Sequence, residues 1–196
     1  MATLADDLAL TPNVDANEVE NEMKSGGIPT EGYHHAILDG YREIKADSGT
    51  HGRELTFLVI AGPSRGLKVK DAIWSPAGHD AIKDERSRNR IRLLAHRLGL
   101  LTKVMNPDGK TATYKPVPGK NEFSDAFGAE CIIKVKHKER EYQDDKGNIK
   151  KVKDANLDFE GVFMLDDPRV KDVQRGKAAD VPKSPPPPPK DDFGDI

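Results

Sequence analysis

Arg53-Glu54-Leu55-Thr56-Phe57-Leu58-Val59-Ile60-Ala61 runs into Gly62-Pro63-Ser64-Arg65-Gly66 and then into Leu67-Lys68-Val69-Lys70-Asp71-Ala72-Ile73-Trp74. The first segment is rich in β-branched and aromatic residues, which fit a pleated surface. Gly and Pro punctuate the middle segment as a turn. The third alternates, with Leu67, Val69 and Ile73 on one face and Lys68, Lys70 and Trp74 on the other. Two strands joined by so short a turn predict an antiparallel pair. Towards the N-terminus, residues 33–46 read as another strand, bulged near Gly40. Asp47-Ser48-Gly49-Thr50-His51-Gly52 turns it into residues 53–61. The three strands form a meander.

Towards the C-terminus a helix is expected. Asp80 suits its N-cap, and Asp84 and Glu85 suit its early turns. Ile91, Leu94, Ala95, Leu98 and Leu101 recur at helical spacing and give it a core-facing side, while Gly99 weakens the last turn. Residues 102–125 read as a long loop, with a turn at Asn106-Pro107-Asp108-Gly109 and with Pro116 and Pro118 blocking regular pairing. Residues 126–139 predict a strand, residues 144–148 a hairpin turn, and residues 149–165 the last strand. The order β-β-β-α-β-β makes the chain mainly β with one helix. It is the element order of a five-stranded OB-fold barrel. An unclosed α+β sheet with one helix is the competing arrangement.

Charge divides the chain into three parts. Residues 1–31 hold seven acids against one base, a net of −6; residues 32–165 hold 24 bases against 19 acids, a net of +5; residues 166–196 hold six bases against seven acids, a net of −1. The first part reads as a flexible acidic arm, the second as the folded domain, and the third as a disordered Pro-rich linker with an acidic tip. A basic body between acidic ends suits a nucleic-acid binder. No apolar run is long enough for a membrane span, and no signal-peptide pattern opens the chain. The single cysteine, Cys131, rules out an internal disulfide, so a reducing cytoplasm is expected. His34 and His35 are adjacent and no Cys/His pair has ligand spacing, so neither metal nor cofactor is expected. Gly62–Gly66 lacks the Lys-Ser/Thr and following helix of a phosphate loop. A non-catalytic role follows as the expectation.

The candidate binding residues come from the strand faces. Cys131, Ile133 and Val135 line one face of their strand, and Lys134, Lys136 and Lys138 the other. With Lys68, Lys70 and Trp74 these make rows of cations beside an aromatic. Such rows suit a single strand of nucleic acid, where lysines neutralise phosphates and bases stack on the ring. Alternating lysines also protect exposed strands from aggregation, and the two readings stand level. In the helix, Arg86, Arg90 and Arg97 share a stripe, with Arg88 and Arg92 opposite; Arg86 and Arg90 join the candidates. Tyr33, Tyr41, Phe57, Phe159 and Phe163 are expected mainly in the core. Tyr41 and Phe57 are the exceptions to expect, because OB barrels bind through early strands. Tyr41 is therefore a second stacking candidate beside Trp74.

Gly32-Tyr33-His34-His35-Ala36-Ile37-Leu38, the strand 53–60, Gly66-Leu67-Lys68-Val69 and the helix Asn89-Arg90-Ile91-Arg92-Leu93-Leu94-Ala95-His96-Arg97-Leu98-Gly99 together resemble a phage-encoded family of single-stranded DNA-binding proteins. The strand pair 128–138 and 149–163 fits the same pattern. The resemblance implies an OB-like body that coats single-stranded DNA during phage or prophage replication and recombination. The end of the chain adds a second resemblance. A run of prolines, Pro185 to Pro189, stays extended because Pro lacks an N–H and fixes φ. It precedes Lys190 and Asp191-Asp192-Phe193-Gly194-Asp195-Ile196. This layout is similar to the tails of bacterial single-stranded DNA-binding proteins. It implies that Asp191, Asp192, Phe193, Asp195 and Ile196 recruit replication or recombination proteins. A homo-oligomer is compatible with this reading. The alternative is a protein-interaction or inhibitor module without DNA affinity.

Overall fold

In the computed structural model, residues 27–78, 80–143 and 147–177 are described. Strand β1 (Gly32–Lys45) organises the fold. Its first half pairs antiparallel with β6 (Glu130–Gln143), and from Ala36 onwards it pairs with β2 (His51–Val59). The ladder slips between Leu38 and Gly40, which is the bulge expected near Gly40. The extra residue brings Tyr41 back to the core side, where it packs on the cluster that holds Leu38. β2 pairs with β3 (Lys68–Trp74), and β6 pairs with β7 (Ile149–Phe163). The resulting antiparallel sheet has the order β3-β2-β1-β6-β7.

Among the described residues the fold is thus mainly β with one helix, as the sequence indicates, but the sheet does not close into a barrel. Its edge strands, β3 and β7, pack alongside each other with no hydrogen-bonded ladder between them. Helix α1 (Ala81–Arg97) lies at this open seam and touches both edges. Arg90 Nη2 donates to both carboxylate oxygens of Asp71 on β3, at 2.8 Å each. Arg97 Nη1 donates to the backbone carbonyls of Glu160, at 2.7 Å, and of Val162 on β7. Two arginines thereby peg the helix to the two unpaired edges. Arg97 satisfies carbonyls that a barrel would give to a neighbouring strand.

The helix ends follow local chemistry. Asp80 caps it, accepting from the amides of Ile82 and Lys83. Asp84 is buried and accepts from the amides of Ala77 and Gly78, tying the approach loop to the first turn. Gly99 terminates the helix rather than weakening it. At φ 74° its amide bonds the His96 carbonyl while the Leu100 amide reaches Ala95, a Schellman closure. Leu94, Ala95 and Leu98 enter the core with Leu38, Leu55, Phe57, Val69, Ile73, Cys131, Ile133 and Val162.

Residues 102–125 differ from the long loop that their prolines suggested. A hairpin, β4 (Leu101–Met105) and β5 (Ala112–Pro116), forms a separate two-stranded sheet. Asp108 organises its turn by accepting from the amides of Lys110 and Thr111 and from the Thr111 hydroxyl. Pro116 is tolerated because it stands at the end of an edge strand. A 3₁₀ turn (Phe123–Ala126) follows and buries Phe123 against Tyr41, with ring centroids 6.3 Å apart.

The packed body reaches past residues 32–165 on both sides. At the N-terminal side, Pro29 and Glu31 bond His137, and Thr30 bonds Ser64. At the C-terminal side, residues 166–177 cross the outer face of the sheet, the face turned away from the core. Val170 and Val173 cover Ile132 and Phe163, and the Gly176 amide donates to Nδ1 of His35 at 3.0 Å. A Cβ at Gly176 would fall 2.2 Å from the Ile60 carbonyl oxygen, so this close passage requires glycine.

Candidate nucleic-acid interface

The outer face of β1, β2 and β3 holds the first group of candidates. Trp74 lies flat against Gly52 of the neighbouring strand: a Cβ there would sit 2.6 Å from Cε3 and 3.0 Å from Cζ3 of the indole. Glycine at 52 thus lets a large ring lie on the sheet, and Trp74 remains 39% exposed. Glu54 is two residues along β2 on the same face. It accepts Arg42 Nε at 2.8 Å and Arg42 Nη2 at 3.0 Å, and its carboxylate is 3.3 Å from Lys70 Nζ. The Arg42 hydrogen bond, with Lys70 adding to it, holds the Glu54 carboxyl below its ordinary range. Lys68 pairs with Asp39 of the β1 bulge at 2.8 Å.

A second group stands on β6 and β7. Lys134 and Lys136 both engage Asp158, at 2.9 and 3.0 Å. These bonds and the Phe159 amide hold the Asp158 carboxyl far below the usual carboxylate range, and the bond to Asp158 raises Lys134. Lys134 also lies over the Tyr33 ring, 5.6 Å from its centroid. Lys138 is exposed opposite Asp154, whose carboxylate Arg140 holds at 2.6 Å.

The two lysine groups do not share one groove. In the register, Lys134 stands opposite Tyr33, His35 opposite Ile132, and Lys68 opposite Leu58, which faces Ile37. Residues 166–177 cross at His35 and Ile132, between the two groups. Register and the path of that segment together separate them.

The remaining candidates scatter. Tyr41 is half-buried on the core side, stacked on Phe123 at the rim of a 370 Å³ cleft with Arg53, Ile91 and Lys120. It does not share a face with Trp74. Phe57, expected as an exception to burial, is fully buried, because odd-numbered residues of β2 point into the core. Arg90 is committed to Asp71: burial pushes the Asp71 carboxyl up, and Arg90 pulls it part of the way back. Both bonds use Nη2, and the Arg90 Nε is buried with no hydrogen-bond partner among the described residues. Arg86 takes no ion-pair partner among the described residues and lines an open groove beside Phe159. The tip residues Asp191, Asp192, Phe193, Asp195 and Ile196 lie outside the described residues.

Phe159 is the functional candidate that the sequence reading assigns to the core. It is 70% exposed. Two steps on β6, Ile133 to Val135, oppose five on β7, Val162 back to Leu157, and Phe159 sits on that bulge. Gly161 in mid-strand was the available signal, since an isolated strand glycine marks a bulge. Arg42 and Gly52 gave no such signal. The turn Gly62–Gly66 also has the Gly-x-Ser-x-Gly spacing of a nucleophile elbow, which requires a strand-to-helix turn. Here it joins two antiparallel strands, and Ser64 is buried, its Oγ accepting the Thr30 amide at 3.1 Å. Cys131 is fully buried, which pushes its thiol up to about 12, far from a reactive thiolate.

No protein-family model matches the chain, and no curated protein matches it.

Proposed function

We propose that the protein binds single-stranded DNA without catalysis, through the outer face of β2 and β3. The observation that carries this reading is the indole of Trp74 laid on Gly52, one step from the cations Arg42 and Lys70 gathered on Glu54. A base can stack on such a ring while the adjacent cations meet its phosphates. The strand order supports an OB-like, partly open barrel, with β6 and β7 as its fourth and fifth strands. OB-folds bind oligonucleotides on strands two and three. Replication or recombination in a phage or prophage setting, with partners recruited by residues 191–196, is the role that fits such binding.

A second reading has its own observation. Lys68, Lys70, Lys134 and Lys136 all already engage carboxylates, so the basic rows are locally neutralised. A protein-interaction module without DNA affinity would have such a surface. Trp74 is the only tryptophan in the chain, so its fluorescence reports one place. Titration with oligo(dT) at low and moderate salt, with duplex as competitor, should quench it in a salt-sensitive way that duplex does not reverse. Anisotropy of labelled oligo(dT) without quenching would move the site away from Trp74. No binding at low salt would leave the protein-interaction reading.

A further inference from the structure

We infer that Phe159, Arg86 and Asn89 form a second nucleotide site at the seam between β3 and β7, which carries a bound single strand from one lysine group to the other. The inference rests on the single-strand reading above.

The bulge that presents Phe159 is a built feature. A Cβ at Gly161 would lie 2.5 Å from the Asp158 carbonyl oxygen and 2.6 Å from the Leu157 Cβ, so the tight return needs glycine. Asp158 Oδ1 accepts the Phe159 amide at 2.9 Å and fixes the outward turn. The fold thus holds a large apolar ring in water by local hydrogen bonding, at a cost in hydrophobic free energy that a ligand on the ring would recover.

Opposite the ring stands one face of α1. Phe159, Leu93, Arg86, Asn89 and Arg90 line a groove of about 530 Å³. Among the described residues its lining has two arginines and no carboxylate, so it suits an anion with a planar apolar part. Arg90 gives its Nη2 to Asp71 and its Nε is buried, which leaves the exposed Arg86 as the more open cation for a phosphate. Asn89 uses its Oδ1 to accept Arg92, which leaves its NH₂ to donate to a base or sugar. A nucleotide meets all three demands: its base on Phe159, its phosphate on Arg86 and an acceptor for Asn89.

Position adds the second argument. Residues 166–177 close the direct route across the outer face between Lys68 and Lys134. Round the other side, β7 packs beside β3 and pairs with β6. Phe159 stands on that intervening strand, next to the Asp158 that holds Lys134 and Lys136. A strand leaving Trp74 and Lys70 can therefore cross the seam over Phe159 and continue on Lys134 and Lys136.

The test uses the full chain and oligo(dT) of about 4 and about 16 nucleotides, the ends of the range of OB site sizes. Trp74 quenching reports the first site and anisotropy the whole complex. Phe159→Ala and Arg86→Gln should leave the short oligomer and the Trp74 quench unchanged. Phe159→Ala should weaken the long oligomer by about 5- to 150-fold, the effect of one lost stacked base. Phe159→Tyr, which keeps the ring, should restore it, and ultraviolet cross-linking of the long oligomer should label the Phe159 peptide. Wild-type long-oligomer affinity in Phe159→Ala, with Trp74 still quenched, overturns the seam site alone. Absence of quenching and binding in the parent protein overturns the single-strand reading and the seam site together. A change in self-association in Phe159→Ala, with DNA binding intact, assigns the ring to a protein contact instead.

Discussion

The two sides of the seam carry the same ingredients in different arrangements. On β1, β2 and β3, Glu54 and Asp39 share Arg42, Lys70 and Lys68, and the aromatic lies flat on a glycine. On β6 and β7, one carboxylate, Asp158, holds two lysines, and the aromatic stands out on a bulge. The first side is a preformed platform. The second is a cation pair restrained by a single acid. Alternating lysines look identical in the two strands, so what distinguishes the faces is which acids neighbouring strands bring up and how the aromatic is supported.

The largest effect should come from breaking the seam that brings the sides together. Arg90→Ala leaves Asp71 as an uncompensated buried acid and should cost about 3–5 kcal/mol of stability, read as a drop in the denaturant midpoint. Replacing both partners, Asp71→Leu with Arg90→Met, should recover much of that loss. Equal instability of the double variant would mean that the pair does more than balance charge.

Trp74→Ala should weaken single-strand binding by about 1–3 kcal/mol. Gly52→Val tests the platform itself, since a side chain there must displace the indole; it should reduce binding although Trp74 is retained. Unchanged affinity in both variants would remove this side from the interface.

On the other side, Asp158→Asn should release Lys134 and Lys136 together. Binding should tighten at low salt, and the slope of log K against log salt should steepen by up to about 1.4, from about 0.7 for each phosphate contact on a single strand. A slope identical to the parent's would show that these lysines meet no phosphate.

The smallest effect concerns His35, at the midline beneath residues 166–177. Its Nδ1 accepts the Gly176 amide, and its Nε2 is 3.3 Å from Glu130. Burial lowers its pKa and Arg175 adds to this, while Glu130 opposes. The folded state therefore holds the ring neutral, where the unfolded chain would protonate it in the ordinary imidazole range. Its contribution to stability is full above that range and falls away as pH drops through it. The protection of the Gly176 amide relative to its intrinsic exchange rate should fall over the same interval, and His35→Gln should flatten the response.

Much of the fold was legible because it rests on local signals. Alternation, interrupted at Asp71 and Ala72, marks residues 67–74, Gly40 marks the β1 bulge, and Asp80 marks the helix start. The β4–β5 hairpin was not legible, because its strands are mostly exposed and show no alternation, so prolines dominate the pattern. Of the candidate site, Trp74 and the lysines were visible as outward-facing strand residues. The consumption of Arg90 by Asp71 was hidden, since the two are 19 positions apart and belong to different elements.

By itself, then, the chain determined where the five strands of the main sheet, their turns and the helix lie and which strand faces carry charge. Those properties depend on side-chain period and on backbone preferences within a few residues. Only the tertiary structure decided that the sheet stays open at β3 and β7, that residues 166–177 part the lysine groups, and that Phe159 stands outward while Phe57 is buried. Each of these depends on contacts between residues far apart in sequence. A lysine row or an arginine stripe has no fixed role until those contacts bring up its acid, its carbonyl or its solvent.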